Sequence, residues 1–368
     1  MHFYSSPESH VRLVAFASAA ALLVACSSEA RKGSDSASAS TSRGGSVALT
    51  GAGATFPYPI YSKWFADYAA KTGVKINYQS IGSGGGIRQL SEQTVDFGAS
   101  DSPMTDDEMA KAKGGPILHF PTVLGAVALI YNLPGLKQPL KLDGPTLADI
   151  YLGTIKKWND GRIAALNPGA ALPNADILVV HRSDGSGTSF IFTDYLSAVS
   201  PAWKGGPGKG KEVQWPVGLG AKGNEGVAGQ VRQSVGAIGY AELAYAKQNK
   251  ITTALVKNAS GEMVAPTIES ATAAAAGAAA ALPANTDYRV SIVNAKGAGA
   301  YPIASFTWIL VYQDQRDAVK GKQLVDFLTW ALTDGQSEAR SLDYAPIPAT
   351  MSQQLVERLK TIKVGAAS

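Results

Sequence analysis

Ten residues, HRSDGSGTSF from His181 to Phe190, constrain this chain more than any other stretch. They follow the apolar run Ile177–Val180 and precede Phe190, Ile191, Phe192, Tyr195 and Leu196, which recur at helical spacing. The segment therefore reads as a strand, a tight turn and a helix start. Gly185 and Gly187 let the backbone bend and approach a ligand with no Cβ in the way, and Ser186, Thr188 and Ser189 can cap the helix or donate hydroxyl protons. Unpaired N–H groups at a helix start, the positive end of its dipole and the guanidinium of Arg182 together suit a small tetrahedral anion. A well-capped helix after a buried strand is the alternative for this stretch taken alone.

The pattern occurs twice more. Val47–Leu49 runs into Gly51-Ala-Gly53-Ala-Thr55-Phe56-Pro57, after which Tyr58, Tyr61, Trp64, Phe65 and Tyr68 mark a helix with prolines in its tolerant first turn. A dinucleotide fingerprint is excluded because Phe56 stands where its third glycine belongs. Val74-Lys-Ile76-Asn-Tyr78 alternates as a strand, and Gly82-Ser83-Gly84-Gly85-Gly86 opens a helix with Ile87 and Leu90. Three strand-to-helix turns thus carry Thr55, Ser83 and Ser186 among glycines, a recurrence that points to an anion held by helix N-termini and hydroxyls. A further strand, from Val95, ends at Asp101. A carboxylate aimed into a site of donors has a specific use: it can accept the proton that phosphate still carries near neutral pH, whereas sulfate carries none and would face it with acceptor oxygens alone. Asp101 is expected to act as that selectivity filter.

Composition excludes other classes. The 368 residues exceed one typical core and suggest two lobes; 45% hydrophobic and 17% charged residues describe a globular protein, and no long apolar span follows the N-terminal region. A net charge of +4 without a basic cluster interleaved with aromatics does not suggest nucleic acid. A serine hydrolase would need G-x-S-x-G spacing around Ser186, which is absent, and the histidines beyond the leader are His119 and His181, the latter expected to be structural. There is neither H-E-x-x-H nor a Cys/His cluster for a metal, no P-loop, and no carboxylate pair placed for acid–base work. No catalysis and no cofactor are expected.

The N-terminus reads as a leader. Arg12 precedes the apolar run Leu13–Ala25, too short to span a bilayer, and the run stops at Cys26, the single cysteine. Leu23-Val-Ala-Cys26 resembles the lipobox of bacterial lipoproteins, which implies cleavage after residue 25 and acylation of Cys26. Loss of Glu8 and Arg12 would leave the net charge at +4. Residues 27–46, rich in Ser, Ala and Gly, read as a flexible tether.

Several runs carry a family resemblance: LTGAGATFPYPIY at 49–61, NYQSIGSGGGI at 77–87, TVDFGASDSPM at 94–104, FPTVLGAVAL at 120–129, DIYLGTIKKWND at 149–160, HRSDGSGTSFIFTDYL at 181–196, WPVGLGAKGNEGVAG at 215–229 and GAIGYAELAYAKQN at 236–249. From about Leu49 to Ile347 the chain resembles the phosphate-binding proteins of bacterial phosphate ABC transporters. The resemblance implies a two-lobed α/β periplasmic binding protein fold, type II-like, with the ligand cleft between lobes joined by crossover hinge strands. It implies inorganic phosphate held by Thr55, Phe56 through its backbone N–H, Ser83, Asp101, Arg182, Ser186, Gly187 and Thr188, with Asp184 orienting Arg182. Some members carry a second Ser where this chain has Gly84. It also implies lobe one at 47–123 and 301–368, lobe two at 124–300, a monomer, and delivery to the permease and ATPase of the transporter from the periplasm or cell surface. A secreted phosphatase using the same donors, and a receptor for sulfate or molybdate, are the competing readings. Among the remaining segments, Asp149–Trp158 is expected to be a helix with Trp158 in the core, Glu269–Ala281 an Ala-rich helix, and Gly321–Leu332 an amphipathic helix.

Overall fold

The computed structural model describes residues 48–279 and 287–365. The expected leader, Cys26 and the tether lie outside the described residues. No helix among the described residues is long and apolar enough to cross a membrane.

The chain begins with β1 (Ala48–Gly53), α1 (Tyr58–Thr72), β2 (Lys75–Ser80), α2 (Ser83–Ser91), β3 (Phe97–Ser100) and the short α3 (Asp106–Ala110). β4 (Ile117–Tyr131) then leads to α4 (Gly144–Tyr151), β5 (Leu178–Arg182), α5 (Gly187–Val199), β6 (Leu219–Ala221), α6 (Gly223–Gln233), β7 (Ala237–Glu242), α7 (Leu243–Gln248) and α8 (Ile268–Ala279). The return is made by β8 (Ala304–Tyr312) and α9 (Ala318–Leu332). In the main sheet the strands lie in the order β2-β1-β3-β8-β4-β7-β5-β6. β1 pairs in parallel with β2 and β3, β5 in parallel with β6 and β7, and the central β8 and β4 run antiparallel to their neighbours. Parallel pairs joined by helices are the α/β pattern that the alternating segments imply.

α1 illustrates how the sequence makes its elements. Pro57 and Pro59 occupy positions whose N–H groups need no intrahelical acceptor, the buried face is Ile60, Tyr61, Trp64, Phe65 and Tyr68, and Gly73 ends the helix at φ 78°. Its aromatic side chains join Tyr78, Phe97 and Phe327 in one packed group. A second group gathers Tyr151, Phe192, Trp203, Trp215 and Tyr240.

β4 ties the two groups together. Residues 117–126 pair with β8, and residues 127–131 pair with β7. All of it is buried except Leu118, which explains its near-continuous apolar sequence. Pro121 has no N–H for a ladder bond; the register with β8 shifts between Thr307 and Trp308, skipping Thr122. Tyr301 donates its phenol to the Val127 carbonyl at the changeover, 3.0 Å away. The segment 287–293 touches both sides of the molecule, Arg289 pairing with Asp106 and Ser291 bonding Asp194.

One expected helix is corrected. Asp149–Trp158 is not a continuous helix: α4 starts after the N-cap Asp143 and ends at Tyr151, where Gly153 turns the chain at φ 75°. Ile150, Tyr151 and Ile155 are all buried, as their spacing predicts, while the backbone between them turns. Trp158 is fully buried and donates its indole N–H to the Gly236 carbonyl at 3.0 Å.

Candidate anion-binding site

The three glycine-rich turns converge. At the end of β1, Ala54 N–H bonds the Ala99 carbonyl, bringing the Thr55 turn beside the end of β3 and Asp101. Tyr245 donates to the Thr55 carbonyl at 2.6 Å and Tyr344 to the Phe56 carbonyl at 2.6 Å. In a trans peptide the C=O and the following N–H point in opposite directions, so holding the Thr55 carbonyl sets the Phe56 N–H on the far side of that plane. At α2, Gly82 at φ 88° leaves no room for a side chain, since a Cβ there would stand 2.3 Å from Asp184 Oδ2. Gly84 N–H reaches the Gly185 carbonyl at 2.8 Å, so the α2 turn and the turn after β5 are in direct contact.

Arg182, the last residue of β5, is 3% exposed. Its Nε and Nη2 donate to the two oxygens of Asp184 at 2.7 and 2.5 Å, a bidentate pair, and Nη1 reaches Thr188 Oγ1 at 3.3 Å. Asp184 also accepts from Gly223 N–H at 3.0 Å. Burial alone would raise the Asp184 carboxyl, but the hydrogen bonds and charge of Arg182 outweigh it and hold it below the ordinary carboxylate range. Asp184 thus stays ionised and locks the guanidinium plane. Asp101 is the opposite case. Burial pushes its carboxyl from 3.8 to about 7, against the hydrogen bond from Thr307 and the charge of Arg182, which both pull it down. Thr307 Oγ1 donates to Asp101 Oδ1 at 2.7 Å.

The hydroxyls of the site follow one rule. Thr55 Oγ1 accepts from Asn224 N–H at 3.2 Å and from Asn224 Nδ2 at 2.7 Å. Ser83 Oγ accepts from Asp101 N–H at 3.2 Å and Gly187 N–H at 3.1 Å. Thr188 Oγ1 accepts from Arg182 Nη1 at 3.3 Å and Asn224 Nδ2 at 3.1 Å. A hydroxyl has two lone pairs and one proton. In all three the lone pairs are taken by N–H donors, and no acceptor among the described residues takes the protons. The three oxygens are buried, so each proton is left for a group that enters the site.

Every expected site residue from Thr55 to Thr188 therefore lies in this one cluster, with two particulars. Ser186 Oγ caps α5 by accepting from Ser189 N–H at 2.9 Å, and the Ser186 N–H goes to the Lys211 carbonyl at 3.0 Å. Gly187 N–H meets Ser83 Oγ, and a Cβ on Gly187 would fall 2.4 Å from that oxygen and 2.6 Å from Asp101 Oδ2. Sequence reasoning missed Asn224, Thr307, Tyr245 and Tyr344. Asn224 had a usable signal, since it follows Gly223 at a fourth strand–turn–helix junction; Thr307 is a lone hydroxyl in the apolar run of β8. His181 stacks on Trp215 at 4.8 Å with its Nδ1 3.0 Å from the Arg182 carbonyl, and burial lowers its pKa, a structural role. Among the described residues no group of three or more His, Cys, Asp or Glu could hold a metal ion.

Comparison with known proteins bears on fold and family. A PBP superfamily domain matches residues 34–334. The phosphate-binding protein PstS of Xylella fastidiosa strain Temecula1 is 49% identical over 311 residues, which cover 84% of each chain. The protein of the same name from Haemophilus influenzae is 47% identical over 314 residues, covering 85% of this chain and 92% of that one. Among solved structures, a high-affinity periplasmic phosphate-binding protein (PfluDING) bound with phosphate superposes with a TM-score of 0.68 at 22% identity, covering 84% of this chain and 93% of the other. At that identity the likeness shows the two-lobed α/β periplasmic binding protein fold.

Proposed function

The chain belongs to the phosphate-binding proteins of the PBP superfamily, and on that premise we propose that it captures inorganic phosphate outside the cytoplasm and delivers it to the membrane subunits of a phosphate ABC transporter. It is a solute-binding protein and not an enzyme. The observation that carries the reading is the set of three buried hydroxyls whose lone pairs are all occupied, so that Thr55, Ser83 and Thr188 offer protons only. Arg182, held by Asp184, and the N–H groups of Phe56 and Thr188 complete a donor shell, with Ser186 donating its free proton and Gly187 contributing by its bond to Ser83 Oγ. Asp101 is the one acceptor in the shell and takes the proton of the phosphate.

In this reading the lobes are 47–123 with 301–368, and 124–300. The exchange of partners along β4 between Ala126 and Val127 supports a hinge there. Thr55, Phe56, Ser83 and Asp101 come from one lobe and Arg182, Ser186, Gly187 and Thr188 from the other, so the anion bridges them and binding favours closure. Cys26 carries the lipid that tethers the protein to a membrane, which mass spectrometry of the native N-terminus would reveal as an acylated cysteine.

Calorimetric titration tests the function. Protein freed of endogenous ligand by partial unfolding, then refolded, should bind inorganic phosphate one to one, and at pH 9, where Asp101 is ionised, excess sulfate should not displace it. No phosphate signal from verified refolded protein would reject the reading; equal competition by sulfate would reject the role of Asp101.

A further inference from the structure

Asn224 stands at the start of α6 and is 0% exposed. Its Oδ1 accepts from the Glu242 N–H at 2.9 Å, which fixes which side of the amide carries the nitrogen. Nδ2 then uses its two protons on two different hydroxyls, Thr55 Oγ1 at 2.7 Å and Thr188 Oγ1 at 3.1 Å. Those threonines come from the turn after β1 and the first turn of α5, and the Asn224 backbone N–H adds a second bond to Thr55 Oγ1 at 3.2 Å. Every polar atom of this side chain is satisfied by protein, and no ligand contact is needed to account for it.

We infer that Asn224 is a positioning residue that sets the direction of the Thr55 and Thr188 hydroxyl protons, making both hydroxyls obligate donors to the bound anion. The inference rests on the phosphate reading and deepens it. A threonine hydroxyl left to itself rotates and can turn a lone pair toward an anion, which repels it. Asn224 removes that choice for Thr55 by filling both lone pairs, and for Thr188 by filling the one that Arg182 leaves. Because the site is buried, no bulk water competes for these positions. One amide therefore sets proton polarity on both sides of the anion.

The test is a mutant cycle read by titration with inorganic phosphate. In the otherwise wild-type protein, Asn224→Ala should weaken phosphate binding at least tenfold. In a Thr55→Val/Thr188→Val background, where the hydroxyls it orients are gone, the same change should cost less than threefold. Equal losses in the two backgrounds would show a general structural effect and overturn the inference, as would an affinity within threefold of wild type for Asn224→Ala alone. Thermal unfolding without phosphate checks that each variant folds. Should Asn224→Ala not refold, Asn224→Asp serves in the cycle: it keeps the shape and the acceptor for Glu242, but its carboxylate draws the threonine protons away from the ligand, so its loss should likewise collapse in the valine background. Wild-type protein that fails to bind phosphate would remove the parent reading; wild-type binding with additive losses would remove this inference alone.

Discussion

Sulfate and phosphate should part company as pH rises. The ligand-free Asp101 carboxyl is pushed to about 7 by burial. Below that pH it is protonated and can donate an O–H to sulfate; above it, the carboxylate confronts an anion that has no proton to give. Sulfate binding then requires the protonated form, whose population is about one half at pH 7 and about one hundredth at pH 9, by the ordinary titration relation. Sulfate affinity should therefore fall about 50-fold over this interval, about 2.3 kcal/mol. Phosphate brings its own proton and should show no such slope. In Asp101→Asn the amide can donate at every pH, so the sulfate slope should vanish and discrimination should be blunted. The assay is displacement calorimetry of sulfate and phosphate at pH 6, 7, 8 and 9. A sulfate affinity level from pH 7 to 9 in the wild type, or an unchanged slope in Asp101→Asn, would refute the proton-acceptor role.

Three further outcomes follow from the geometry. The folded-state pKa of Asp101 lies above its unfolded value, so the contribution of this one group to ligand-free stability is full below about 3.8 and is lost as pH rises to about 7; that contribution is about 4 kcal/mol, from 1.36 kcal/mol per pH unit. Urea unfolding should therefore find Asp101→Asn, which keeps an acceptor for Thr307, gaining on the wild type between pH 4 and 7 and level with it in slope above; parallel curves throughout would contradict the burial argument. Arg182→Ala should lose roughly 2–5 kcal/mol of phosphate affinity, the range for removing one partner of a buried charged pair, and a titration within threefold of wild type would take Arg182 out of the site. Gly187→Ala should abolish binding while circular dichroism stays native, because its Cβ would fall 2.6 Å from Asp101 Oδ2; retained affinity would mean that the α5 turn and Asp101 separate freely.

What could be read in advance was local. The stretch His181–Phe190 behaves as its residues suggest: β5 ends at Arg182, Ser186 caps, and α5 begins at Gly187. The strands around Thr55, Ser83 and Asp101 likewise follow from alternation and from glycines placed where chains approach. What could not be read was long-range. Asn224 meets Thr55 across 169 residues and Thr307 meets Asp101 across 206, and no periodicity encodes such partners. The same limit misread Asp149–Trp158, because inward-facing residues at helical spacing also arise when a short helix ends and a glycine folds the chain back. Family resemblance suggested the ligand set; the packing shows that the hydroxyls of Thr55, Ser83 and Thr188 have their lone pairs filled and only protons left to give.

The order of strands has a consequence for how the molecule is made. β8 lies between β3 and β4 in the sheet, yet is synthesised about 200 residues after β3. Until residue 312 has emerged, β1, β2 and β3 form a sheet fragment with a bare edge, and the first part of β4 lacks this central neighbour. The ladder of the last part of β4 with β7, β5 and β6 closes with residues 127–242 alone. The middle of the chain therefore has the means to assemble first, and the part that holds Thr55 and Asp101 is completed only when the distant strand arrives and closes a long loop. A chain of this topology completes its central sheet only when nearly all of it has been synthesised, so its native state is reached after synthesis rather than during it.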